Sequence, residues 1–109
     1  MDDLTELLKG VLEGCVLQLL ARGDSYGYEI VRALNQAGLE SVSEGTVYPI
    51  LLRLEKKRLV NVTKSRSEMG PPRKVYTLNT AGQAALGSFW QRWDFVAARL
   101  AAMREDRHA

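Results

Sequence analysis

Apolar residues recur at helical spacing from the start of the chain. Leu4, Leu7, Leu8, Val11, Leu12, Cys15, Val16, Leu19 and Leu20 follow the i, i+3, i+4, i+7 pattern and predict one long helix with a broad apolar face. Asp3, with Glu6 three residues on, is a capping-box signal, and Arg22-Gly23-Asp24 closes the helix. So wide a stripe implies burial on two sides, against its own domain and against a second subunit. A second helix is predicted from Ser25, as cap, to Ala37, with Gly38 as its stop. A third, capped by Ser43, runs from Glu44 to Lys57 and buries Val47, Ile50, Leu51 and Leu54. Pro49 lies beyond its first turn, so either the helix bends between Gly45 and Pro49 or its regular part begins later.

After Arg58 the period changes to two. Leu59 to Thr63 and Lys74 to Leu78 alternate and are rich in β-branched residues, which predicts two strands. Ser65 to Pro72, with Gly70-Pro71-Pro72, reads as the turn between them. Thr80 and Gln83 form another capping-box signal, opening a helix that continues to about Arg104. Along it Leu86, Trp90, Trp93, Ala97 and Leu100 recur at steps of four and three, while Phe89, Val96 and Met103 recur every seven. A stripe of that kind on so long a helix calls for a partner helix. The fold expected is mainly α with a β-hairpin: a winged helix-turn-helix over 1–79, a dimerisation helix over 80–105, and a disordered tail at 106–109.

Charge changes the picture more than composition does. The net charge of +2 is unremarkable, but residues 1–45 carry three basic against eight acidic side chains, a net −5. Residues 46–76 carry eight basic against two acidic, a net +6. The third helix and the hairpin therefore hold most of the positive charge, and a polyanion is their natural partner. A helix fits the major groove of B-DNA while a hairpin reaches neighbouring phosphates or the minor groove. Helix, helix, helix, hairpin, long helix is the order of a winged reader.

Other chemistry finds no support in the residues. There is no glycine-rich phosphate loop and no Cys/His metal spacing. His108 is the only histidine, so no nucleophile–base pair is in view, and neither an enzyme nor a cofactor is expected. Cys15 is the only cysteine and sits among leucines and valines, which reads as a reduced core residue in a cytoplasmic protein. No apolar run approaches the ~18 residues of a membrane span.

Three ordered blocks carry a family resemblance: Tyr26-Gly27-Tyr28-Glu29-Ile30; Glu44 to Leu51, reading Glu-Gly-Thr-Val-Tyr-Pro-Ile-Leu, with Arg53-Leu54-Glu55; and Gly70-Pro71-Pro72-Arg73-Lys74-Val75-Tyr76-Thr77-Leu78. Together they resemble the PadR family of bacterial transcriptional regulators, in particular the short subfamily with a single C-terminal helix. The resemblance implies a homodimer joined through the first and last helices, a winged reader on each subunit, and promoter repression relieved by a small molecule. One departure is Arg58, where the family often has the glycine that ends a helix in a left-handed turn.

On these grounds Ser43, Thr46, Tyr48 and Arg53 are expected to face DNA, although Ser43 reads first as a plain cap. Lys56 and Lys57 either meet phosphate or solvate the helix end. Lys64, Arg66, Arg73 and Lys74 are assigned to the wing and its phosphates. Tyr26, Tyr28 and Tyr76 read as packing residues. The expected dimer interface is Leu8, Leu12, Leu86, Phe89, Trp90, Trp93, Val96 and Leu100. Trp90 and Trp93 are alternatively a stacking site for a small aromatic effector. The partners expected are double-stranded DNA carrying a near-palindromic operator and a second copy of the chain, and no membrane. The competing reading is a winged-helix protein-interaction module that binds DNA weakly and without regard to sequence.

Overall fold

The apolar stretch that begins at Leu4 folds as two helices, not one. In the computed structural model, which describes residues 4–67 and 70–105, α1 spans Thr5–Leu8 and α2 spans Leu12–Arg22. Between them Lys9 is extended and Gly10 takes φ +83°, a left-handed conformation that glycine adopts without a Cβ penalty. Leu4 precedes α1 without a side-chain cap, and the expected cap Asp3 lies outside the described residues. Leu12, Val16, Leu17 and Leu20 of α2 are buried, and the helix stops at Gly23 as expected.

Ser25 does not cap the next helix. Ser25–Tyr26 form a short strand, β1, antiparallel to Tyr76 and Val75. The helix α3, Gly27–Gln36, starts after Tyr26, whose N–H donates to Glu29 Oε1 at 2.8 Å. That bond is the glutamate arm of a capping box and satisfies a donor at the helix start. At the other end Gly38 takes φ +106°, its N–H donating to Asn35 O and that of Leu39 to Leu34 O, the paired bonds of a Schellman turn. The Asn35 amide then donates to the carbonyls of Leu39 and Val42, both at 2.9 Å, and so fixes the short connection that aims the following helix.

That helix, α4, spans Glu44–Lys56 without a break at Pro49 and begins where the sequence places it. Ser43 is its N-cap by backbone position alone: its carbonyl accepts from Thr46 and Val47, but its hydroxyl makes no cap bond. Pro49 and Gly45 are both exposed, so the hydrogen bond that proline removes is one that water can replace.

The α4 terminus repeats the Schellman bonds of α3 with Arg58 in the glycine position. Arg58 N–H donates to Glu55 O, Leu59 N–H to Leu54 O, and Arg58 φ is +59°. The Asn79 amide donates to Arg58 O at 2.9 Å and holds the turn. A left-handed residue with a Cβ costs about 1 kcal/mol or more. Arg58→Gly is therefore expected to stabilise the chain by about 1 kcal/mol, read as a higher denaturation midpoint at unchanged m-value. An unchanged or lower midpoint would mean that the strain relieved does not exceed the unfolded-chain entropy that glycine adds.

The hairpin strands are longer than predicted. β2 spans Val60–Ser67 and β3 spans Gly70–Leu78, in a sheet ordered β1-β3-β2. Pro71 and Pro72, expected in a loop, lie within β3. The register slips there, between Ser65↔Arg73 and Ser67↔Gly70, so the prolines sit at an irregularity of the ladder. β1 pairs only with Val75 and Tyr76, so the missing proline N–H groups deprive no neighbour on that side.

The last helix, α5, spans Thr80–Glu105. Its cap is Asn79, whose Oδ1 accepts the Gly82 N–H at 2.8 Å; Thr80 is already its first helical residue. Gly82 is buried where α5 crosses the Leu59 carbonyl and the Leu78 side chain. Leu51, Leu54, Val47, Val16 and Ile30 are the centre of the core, and Cys15 packs half-buried against it. Burial pushes the Cys15 thiol pKa up, which keeps it protonated and unreactive. From Gln91 onward every described residue of α5 except Ala97 is exposed. The radius of gyration is 16.2 Å, against about 13 Å for a compact chain of this length.

Candidate nucleic-acid interface

α4 buries one face and leaves three strips open. Gly45, Pro49, Leu52 and Lys56 point outward, opposite the buried Val47, Ile50, Leu51 and Leu54. Thr46, Arg53 and Lys57 lie along one flank, beside Lys9 of the α1–α2 link and Glu13 in the first turn of α2. Tyr48 and Glu55 lie along the other, towards the wing. Sequence reasoning assigned Leu52 to neither core nor surface. It is 49% exposed on the outer face, an apolar side chain of the kind that meets a thymine methyl. Its off-stripe position among α4's four core residues was the signal available.

A cleft of about 790 Å³ opens between α4, the start of α3 and β3. Its walls include Tyr26, Tyr28, Tyr48, Leu52, Arg73 and Lys74. Tyr48 lies so close to Gly27 that any side chain there would collide with its ring. Tyr26 and Tyr28 stack with centroids 5.8 Å apart, and the Arg73 guanidinium sits 5.3 Å over Tyr28. The hydroxyls of Tyr26 and Ser65 share a hydrogen bond of 2.9 Å, tying the start of α3 to the wing. Tyr26 and Tyr28 are thus packing residues, as expected, and they also set the wing's position. Tyr76 is buried, and burial first, then the charge of Glu55 and the neighbouring Tyr48, push its pKa up so that it stays neutral.

The wing brings its cations close together. Lys64 stands opposite Lys74 and Ser65 opposite Arg73 in the ladder, and Lys64, Arg73 and Lys74 are exposed. Like charges directly opposite repel, a cost that a bound phosphate would relieve. Arg66 lies in β2 where the register slips; its side chain is outside the described residues. Two acids temper the basic surface. Glu55 accepts from Lys74 Nζ at 3.5 Å, and Glu13 accepts from Lys57 Nζ at 3.2 Å. The sequence assigned neither acid a role, since Glu13 and Lys57 are 44 positions apart.

The residues expected at a dimer interface divide in two. Leu12 is buried in the chain's own core and offers no surface to a second chain. Leu8 and Leu86 are half-buried against that core. Phe89 is half-buried with its ring against Gly14 of α2, and Trp90 donates its indole N–H to Gln18 Oε1 at 2.8 Å. Trp93, Val96 and Leu100 are exposed on the projecting part of α5. On the opposite side Phe95 is exposed, with the Arg99 guanidinium 4.0 Å from its ring centroid. Residues 106–109, expected as a disordered tail, lie outside the described residues.

Among the described residues no cluster of three or more His, Cys, Asp or Glu could hold a metal ion. No described helix is long and apolar enough to cross a membrane.

Residues 16–88 match the model of the transcriptional regulator PadR-like family. An uncharacterised protein of Lysinibacillus sphaericus is 30% identical over 91 residues, covering 82% of this chain and 84% of that protein. The crystal structure of a PadR-like transcriptional regulator from Bacillus cereus superposes with a TM-score of 0.82 at 39% identity, covering 94% of this chain and 99% of that one. A PadR family transcriptional regulator from Eggerthella lenta gives a TM-score of 0.86 at 28% identity, covering 95% of this chain and 90% of that one. Bacillus subtilis PadR, in complex with operator DNA, shares the fold, with a TM-score of 0.67 at 24% identity, covering 73% of this chain and 46% of that one. The winged-helix fold, the three motif blocks and the matched segment agree: the chain belongs to the PadR family of transcriptional regulators, which act as transcription factors and not as enzymes.

Proposed function

We propose that the protein is a cytoplasmic, sequence-specific DNA-binding repressor that acts as a homodimer and is released by a small aromatic ligand. The observation that carries the reading is the placement of α4 and the wing. Tyr48 and Leu52 of the helix and Arg73 and Lys74 of the hairpin line one open, tyrosine-walled cleft. Thr46, Arg53 and Lys57 lie along the other flank of the helix, and Lys56 and Lys64 are exposed on the same two elements. The helix supplies base-reading side chains and the hairpin supplies phosphate contacts. The operator-bound state of the Bacillus subtilis relative supports the same use of the fold here. Two such readers, joined through Trp93, Val96 and Leu100 of α5, address successive major grooves about 34–36 Å apart on a near-palindromic site. An aromatic effector stacks on Trp93 beside Trp90, between the two α5 helices, and alters the spacing of the readers.

The test is fluorescence anisotropy with DNA from upstream of the gene against a scrambled duplex, across a salt series. Tight, selective binding that weakens steeply with salt supports the regulator. Equal, weak binding by folded protein would leave the interaction-module reading in its place. Neutralising Lys64 or Arg73 is expected to weaken binding to both duplexes alike and to flatten the log–log salt slope by about one unit each. A loss confined to the upstream duplex, at unchanged slope, would remove that residue from the phosphate contacts. Quenching of tryptophan fluorescence by planar aromatic compounds, with loss of the DNA complex, tests the effector.

A further inference from the structure

The acidic side chain at the edge of the basic surface calls for an explanation. Glu13, in the first turn of α2, reaches across to α4. Lys57 Nζ donates to both its carboxylate oxygens, at 3.2 and 3.4 Å, and Arg53 Nε stands 4.0 Å from Oε1. The Glu13 side chain is 29% exposed, so water and salt still reach the cluster, and pairs of this kind contribute little to folding stability. Their consequence falls instead on what Arg53 and Lys57 are free to bind. Thr46, two turns before Arg53, lines the same depression. One carboxylate therefore sits beside three of the side chains proposed to read or grip DNA.

We propose that Glu13 is a positioning residue for DNA readout, a built-in competitor that holds Arg53 and Lys57 away from indiscriminate phosphate contact. The inference rests on the regulator reading above. Its chemistry follows from the shape of the guanidinium. Arginine has five N–H donors, and the one facing Glu13 is on Nε. The terminal Nη groups stay available for the bidentate contact that recognises guanine O6 and N7. A guanine edge can thus be read with the carboxylate in place. A phosphate of random DNA must instead compete with Glu13 for Lys57, and it meets the negative charge of the carboxylate. The anion lowers affinity for any backbone and lowers it less where a correct base repays the contact. Discrimination rises as a result.

Glu13→Gln keeps the size and shape of the side chain and removes the charge. In the full-length protein, with upstream and scrambled duplexes across a salt series, the variant is expected to bind scrambled DNA about three- to tenfold more tightly. Its salt slope should steepen by about one unit, and its preference for the upstream duplex should fall by a similar factor. Adding Glu13→Gln to a Lys57→Gln background should have a smaller effect, because the competed cation is already gone. An unchanged slope and preference in a variant that melts like the wild type would overturn the proposal while leaving the regulator intact. So would equal weakening on both duplexes, which would mark Glu13 as a structural support. A wild-type protein that does not distinguish the duplexes would overturn the regulator reading and this inference with it.

Discussion

Trp93→Asp, combined with Val96→Asp, is expected to give a folded monomer that has lost operator binding by a hundredfold or more. The two side chains are 40% and 47% exposed on a helix that leaves the body of the chain, with Leu100 beside them one turn further on. Burying that stripe against its copy is the proposed source of dimer stability, and an aspartate pair would place four carboxylates in the seam. Folding should survive, because neither residue belongs to the core. Phe89 and Trp90 are unsuitable for the same test. The first packs on Gly14 and the second bonds to Gln18, so their loss would disturb the α2–α5 contact within one chain. Binding suffers because the second half-site is engaged at the effective concentration set by the dimer, worth about 10²–10⁴ in affinity. Light scattering reads the mass and anisotropy reads the DNA. A variant that remains dimeric would place the interface elsewhere.

Two glycines on α5 should respond to the same substitution with opposite signs. Gly82→Ala would drive a Cβ into the Leu59 carbonyl and the Leu78 side chain. A backbone oxygen cannot rotate away, so α5 itself must shift, at a cost of about 2–3 kcal/mol. For a chain of this size that is a fall in Tm of roughly 10 °C or more. Gly87→Ala meets nothing within 4 Å. There alanine replaces the poorest non-proline helix former, and a gain of about 1 kcal/mol is expected. Thermal unfolding of the two variants side by side decides the matter. Equal effects would mean that the crossing of α5 over the α4–β2 turn is looser than the structure has it.

Local patterns were readable where the physics is local. Helical periodicity marked the core faces of α2, α3 and α4, down to Val47, Ile50, Leu51 and Leu54, because burial of one face is what spaces apolar residues. Gly38 announced a left-handed helix end, and the change of period after Arg58 announced the hairpin. The clustering of charge marked the third helix and the wing together before any geometry was known. The three motif blocks then named the family.

Partnership between distant segments is what the sequence left open, and it decided the rest. The stripe from Leu4 to Leu20 is continuous in pattern, yet the backbone breaks at Gly10, since one left-handed residue can turn the chain between two helices without disturbing the spacing on either side. Ser25 looks like a cap, but Tyr76 and Val75 recruit it and Tyr26 into a strand whose partners lie some fifty positions away. Thr80 and Asn79 are both competent caps; the one already fastened to the Arg58 carbonyl is the one that serves. Leu12 and Trp93 look alike as members of apolar stripes, and only packing separates a core residue from an exposed one. Glu13 lay in the acidic first third of the chain, and only the approach of α2 to α4 sets it between Arg53 and Lys57. Periodicity, caps and charge are properties of neighbours in sequence, whereas strand pairing, burial and ion pairing belong to neighbours in space.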